Sequence, residues 1–103
     1  MLAKHTNEIV GGVALRPLDE NGVCEMKRLF VHEPWRGHGI GGQLIEQILF
    51  IARNVGYAKM RLDTEKRLKS AGKLYRKHGF VEIERYYDNP LNDIIFMEKD
   101  LSS

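Results

Sequence analysis

The residues best suited to chemistry are Arg36-Gly37-His38-Gly39-Ile40-Gly41-Gly42, where four glycines fall within six positions. Apolar, strand-like sequence precedes them and apolar, helix-like sequence follows. A helix that begins among the glycines leaves its first N–H groups without internal partners, and its dipole places about half a positive charge there. A phosphate group suits that field. With no Cβ atoms in the way, a pyrophosphate can lie directly on the backbone, and Arg36 can add a charge-assisted contact. The structural alternative is a tight strand-to-helix turn, for which one or two glycines would serve.

Taken literally, Gly37 to Gly42 also satisfies the dinucleotide-binding pattern G-x-G-x-x-G, with Asp63 at the end of the next predicted strand. Context argues against a nicotinamide or flavin site. His32-Glu33-Pro34-Trp35-Arg36 separate the preceding strand from the first glycine, and that strand reads as half of an antiparallel hairpin. The Walker pattern is absent. Cys24 is the single cysteine, and His5, His32, His38 and His78 match no zinc spacing, so no structural metal is expected. Lys66, Arg67, Lys69, Lys73, Arg76 and Lys77 cluster along one short stretch. They form either a solvated helix face or the surroundings of an anionic ligand.

Several elements must position these groups. "EIVGGVALRPL" and "VCEMKRLFV" read as strands joined by Asp19-Glu20-Asn21-Gly22, a hairpin signal, and residues 1 to 4 suggest a further strand turning at His5-Thr6-Asn7. From 40 to 55, Ile40, Leu44, Ile45, Ile48, Leu49, Ile51, Ala52 and Val55 make one apolar stripe at helical spacing, with Gly56 as the stop. Phe50 falls on the polar side and is expected to face outward. "AKMRLDT" reads as a strand. A second helix over about 68–78 stacks Leu68, Ala71, Tyr75 and His78, and from spacing alone Tyr75 is a core residue. "FVEIERY" and "DIIFMEKDL" close the chain as strands. This order predicts an α/β fold, a mixed sheet with two helices packed on it.

The 103 residues suit one domain, 1–103, with a thin core. A hydrophobic content of 43% and a charged content of 29% are those of a soluble globular chain. A net charge of +2 falls short of the cationic density that drives binding to nucleic acid, so no nucleic-acid partner is expected. There is no apolar run long enough to span a bilayer and no signal-peptide pattern, so no membrane partner and a cytoplasmic location are expected.

Arg36 through Gly41 resembles the R/Q-x-x-G-x-G/A signature of the GNAT superfamily of N-acetyltransferases, placed after a strand and before a long helix as in that superfamily. The resemblance continues through "MRLDT", "SAGKLYRKHGF", "YYDNP" and "IIFMEKDL", and is especially close to a subgroup of small bacterial members. It implies a GNAT-like, mostly antiparallel mixed sheet, and acetyl-coenzyme A as co-substrate. The pantetheine arm would add to the strand edge at Leu29, Phe30 and Val31, and the pyrophosphate would rest on Arg36, Gly37, His38, Gly39, Ile40, Gly41 and Gly42. The implied reaction is acetyl transfer to a primary amine of a small molecule or peptide. A non-catalytic acyl-coenzyme A binding module is the alternative.

For catalysis, the resemblance implies Glu25 as the base, acting through water, and Tyr75, in the A-x-x-L-Y segment, as the proton donor to the leaving thiolate. Glu25 has a structural alternative, pairing with Lys27 or Arg28. Two departures stand out. Leu68 replaces an asparagine common in relatives, and the chain starts too late to hold the strand and two helices that open the full domain. A trimmed sequence, a degenerate binding domain and a minimal protein that pairs with a second copy are all compatible with that start. A homodimer, with strand exchange as one route, is the expectation drawn here.

Overall fold

In the computed structural model, residues 1–102 are described, and six strands form one sheet in the order β1-β2-β3-β4-β6-β5. The strands are β1 (Leu2–His5), β2 (Glu8–Pro17), β3 (Val23–Val31), β4 (Lys59–Glu65), β5 (Val81–Ile83) and β6 (Ile94–Asp100). All neighbours run antiparallel except β3 and β4. This is the expected mixed, mostly antiparallel sheet. The hairpin between β2 and β3 turns at Gly22, whose φ of +79° only glycine adopts without strain.

The first helix, α1 (Ile40–Val55), has the bounds the sequence implies and stops at Gly56 in the left-handed region. Its buried side chains are Leu44, Ile45, Ile48, Leu49 and Ala52, so the apolar face is narrower than the sequence stripe: Ile51 and Val55 are exposed together with Phe50. The second helix, α2 (Lys69–Lys77), ends through His78 and Gly79. Both helices occupy crossover connections of one sense and pack on the same sheet face. There a Cβ on Gly41 would stand 3.2 Å from Leu74, and one on Gly42 would stand 3.3 Å from the His78 ring. Two of the four glycines therefore serve close helix packing.

A bulge sets which side chains face the helices. Gly12 pairs with Phe30 but Ala14 with Lys27, so Val13 opposes both Arg28 and Leu29, and Arg28 takes a φ of +58°. Before the bulge Cys24 and Met26 enter the core; after it Leu29 and Val31 do. Without the extra residue, alternation would turn Leu29 and Val31 to the other face. The strand expected from "FVEIERY" is shorter, because Tyr86 leaves the ladder and its ring packs edge-on against Phe96.

Candidate functional site

Strands β3 and β4 pair only from Val23–Lys59 to Glu25–Arg61, although both run on well past that point. Beyond the last pair they part. On the helix-bearing face this parting opens into a cleft of about 640 Å³ between the ends of β3 and β4, the glycine turn and α2. The expected residues Leu29, Phe30, Val31, Arg36, Gly37, Gly39, Ile40, Gly41, Gly42 and Tyr75 all line it, and His38 does not. Thr64, Ser70 and Leu74 line it too, without having been singled out in the sequence. A strand periodicity placed Thr64 but gave no hint of which face mattered.

The glycine turn carries its own signature. Gly37 and Gly39 have φ of +84° and +78°, and a Cβ at either would meet nothing within 4 Å. The first backbone bond into α1 runs from Gln43 N–H to the Gly39 carbonyl. Among the described residues, the N–H groups of Gly37, His38, Gly39, Ile40, Gly41 and Gly42 have no acceptor. Arg36 donates from Nε to the Val31 carbonyl at 3.0 Å, which fixes the turn to the end of β3.

Tyr75 is 8% exposed, and its ring meets Phe80 edge-on. Its hydroxyl has no protein hydrogen-bond partner yet is not sealed from the cleft. Burial, then the charge of Asp63, raises its pKa, so at neutral pH it is a proton donor. Leu68, the departure noted above, caps α2 at the same cleft.

Glu25 lies elsewhere. It is fully buried on the sheet face without helices, where its Oε1 accepts from Arg16 Nε at 2.7 Å and its Oε2 from the Tyr86 hydroxyl at 2.6 Å. Lys27 Nζ stands 3.5 Å from Oε1, so the pairing alternative is present, with Arg16 in place of Arg28. Lys27 also donates to Asp63 Oδ2 at 3.1 Å, and the Tyr87 hydroxyl donates to the same oxygen at 2.5 Å. Asp63 thus turns away from the glycines, which removes the geometric basis of a dinucleotide fingerprint. Among the described residues no cluster of metal-ligating side chains occurs, and no helix is long and apolar enough to cross a membrane.

A parallel strand pair that parts beside a glycine turn rich in free N–H groups defines a class of fold that the family comparison identifies. Residues 1–80 match the model of the acetyltransferase (GNAT) family. The chain belongs to that family. It is 39% identical over 93 residues to an uncharacterized N-acetyltransferase of Schizosaccharomyces pombe, a match that covers 90% of this chain and 57% of the relative. A GNAT acetyltransferase structure from Staphylococcus aureus superposes with a TM-score of 0.85 at 28% identity, covering 98% of this chain and 66% of the other. A GNAT acetyltransferase from Elizabethkingia anophelis, solved with acetyl-coenzyme A bound, superposes at 0.82 and 28% identity, covering 96% and 73%. The chain thus spans somewhat over half the length of the yeast relative and about two thirds of the staphylococcal structure.

Proposed function

We propose that the protein is an acetyl-coenzyme A-dependent N-acetyltransferase acting on a primary amine of a small molecule or peptide. The observation that carries this reading is the run of unpartnered N–H groups from Gly37 to Gly42 at the mouth of the cleft. Unpartnered donors on Gly37, Gly39, Ile40, Gly41 and Gly42, all lining the cleft with Arg36 beside them, suit a diphosphate. The cleft behind them runs between β3 and β4, with room for a pantetheine arm along Leu29, Phe30 and Val31. Acetyl-coenzyme A supplies an activated thioester when bound there.

The remaining chemistry falls to side chains. An alkylamine with a pKa near 10.4 is neutral in only about four molecules per ten thousand at pH 7, so the nucleophile must lose a proton before attack. Glu25 is the proposed base. Arg16 and Tyr86 hold its buried carboxylate in place on the side of the sheet opposite the cleft, so its proposed action on the acceptor is through water rather than by direct contact. The leaving thiolate has a conjugate acid near 8.5 and needs less help. Tyr75, protonated and free of other partners, is the proposed donor to it.

A homodimer belongs to the same reading. Phe50 and Val55 are 65% and 66% exposed on α1, and with Ile51 they leave an apolar strip that a second copy would cover. The decisive experiment combines two measurements: coenzyme A should raise the melting temperature, and acetyl-coenzyme A plus an amine should release free thiol. Stabilisation without thiol release would favour the binding-module alternative; neither effect would end the assignment.

A further inference from the structure

The basic cluster between residues 66 and 77 is not taken up by the cleft at the glycine turn. Of its six cations, Arg67 pairs with Glu65 at 3.0 Å, and Lys77 lines a separate depression beside Gly39. The other four, Lys66, Lys69, Lys73 and Arg76, line a groove of about 320 Å³, and none of them lines the cleft. Among the described residues none of these four forms an ion pair. One carboxylate, Glu82, shares the groove, which therefore carries a surplus of positive charge.

This groove runs between α2 and the β5 end of the sheet. Glu82 of β5 opposes the buried Met97, and Ile95 of β6 opposes Thr64, which lines the cleft, so Glu82 and Ile95 both face the helix-bearing side. Among the described residues β5 ends the strand order, so its outer row of backbone groups has no partner strand. A solvated helix face needs no seat for its charges, yet Arg76 has one. A Cβ on Gly72, in the middle of α2, would stand 3.1 Å from Arg76 Nη1, so the absent side chain leaves room for the guanidinium to fold back along the helix. A glycine at such a position costs about 1 kcal/mol of helix stability relative to alanine.

We propose that this groove docks an extended acidic segment of a partner protein, which adds to the free edge of β5 as a further strand and sets acidic side chains at alternate positions against Lys69, Lys73 and Arg76. The spacings agree. Lys69 and Lys73 are four residues apart on a helix, about 6 Å along its axis, and alternate residues on one face of a strand are about 6.7 Å apart. Main-chain hydrogen bonds to β5 hold the segment, and the cations select its charge. A nucleic acid suits the groove less, because the Glu82 carboxylate repels phosphate and no aromatic ring lines it for a base to stack on. This docking surface stands apart from the acetyltransferase reading, and neither depends on the other.

The test is fluorescence anisotropy at low salt with three labelled probes: a peptide of alternating glutamate and threonine, a peptide of the same composition with its glutamates consecutive, and a single-stranded oligonucleotide of similar charge. The alternating peptide should bind saturably, about threefold or more tighter than the consecutive one, and added salt should weaken it. Lys69→Glu/Lys73→Glu should lower its affinity by roughly tenfold or more, since each reversal removes an attraction and adds a repulsion. Lys73→Gln, with an expected loss of about threefold, serves as the second variant should the double reversal fold poorly. In the wild-type complex, hydrogen exchange at the β5 amides should slow. Equal affinity for the two peptides, unchanged affinity in the charge variants, or unaltered exchange at β5 overturns the proposal. Tighter binding of the oligonucleotide also overturns it and assigns the groove to nucleic acid instead.

Discussion

The hydroxyl of Tyr86 donates to Glu25 Oε2 at 2.6 Å across 61 residues of sequence, tying the segment before β6 to a carboxylate buried in β3. Glu25 has no exposure at all, so each of its oxygens depends on protein donors. Tyr86→Phe leaves Oε2 without one while keeping the ring against Phe96. The expected cost is about 1–3 kcal/mol of stability, read from chemical denaturation. A variant as stable as the wild type would show that another donor replaces the hydroxyl.

Arg36→Ala is expected to weaken coenzyme A binding. The guanidinium holds the Val31 carbonyl at 3.0 Å, so its loss removes a cation and also loosens the turn. Gly39→Ala should do the same by a different route, since a φ of +78° costs a residue with a Cβ about 1–2 kcal/mol. Calorimetric titration with coenzyme A checks both, and unchanged affinity in both would place the diphosphate elsewhere.

Tyr75→Phe should reduce turnover by about 10²-fold or more while coenzyme A affinity stays near that of the wild type. Burial and the Asp63 charge hold its proton, so activity that needs the hydroxyl should persist to higher pH than the ordinary tyrosine value near 10. The same shift has a stability consequence. The unfolded chain ionises its tyrosine first as pH rises, so the contribution is complete below about pH 10 and is lost as pH climbs through the folded value. A pH–rate profile of wild type and variant decides the catalytic role; identical alkaline limbs would remove Tyr75 from it.

Cys24 should resist thiol reagents in the folded protein. It is wholly buried on β3, and desolvation pushes its thiol up to about 11, partly offset by a backbone hydrogen bond. At pH 8 almost no thiolate exists to react. Labelling that requires denaturant agrees with this; rapid labelling of native protein would mean that the β3–β4 junction opens.

Sedimentation should find a dimer, and Phe50→Glu should shift it towards monomer without changing the fold, because Phe50 makes no core contact. A wild-type monomer at all concentrations tested would refute self-pairing.

Much of the fold was legible because it is set by near neighbours in sequence. The 3.6-residue spacing from Ile40 onward and Gly56 after it are enough to bound α1, and Asn21-Gly22 to place the β2–β3 turn. The glycine turn was legible for the same reason: the free donors of residues 37 to 42 are groups of their own backbone. The outer limits of the apolar face were less so, since Ile51 and Val55 match the helical stripe but find no sheet beneath them.

The sequence by itself determined the elements, their order and the turn with its free donors, all of which depend on contacts a few residues apart. Only the tertiary structure decided that a bulge at Arg28 turns Leu29 and Val31 into the cleft, that β3 and β4 part after Glu25, and that Lys27 meets Asp63 across 36 residues. Strand register and partner choice arise from packing between distant segments. A spacing pattern cannot encode them, because moving a strand by one residue exchanges its faces while leaving the pattern intact.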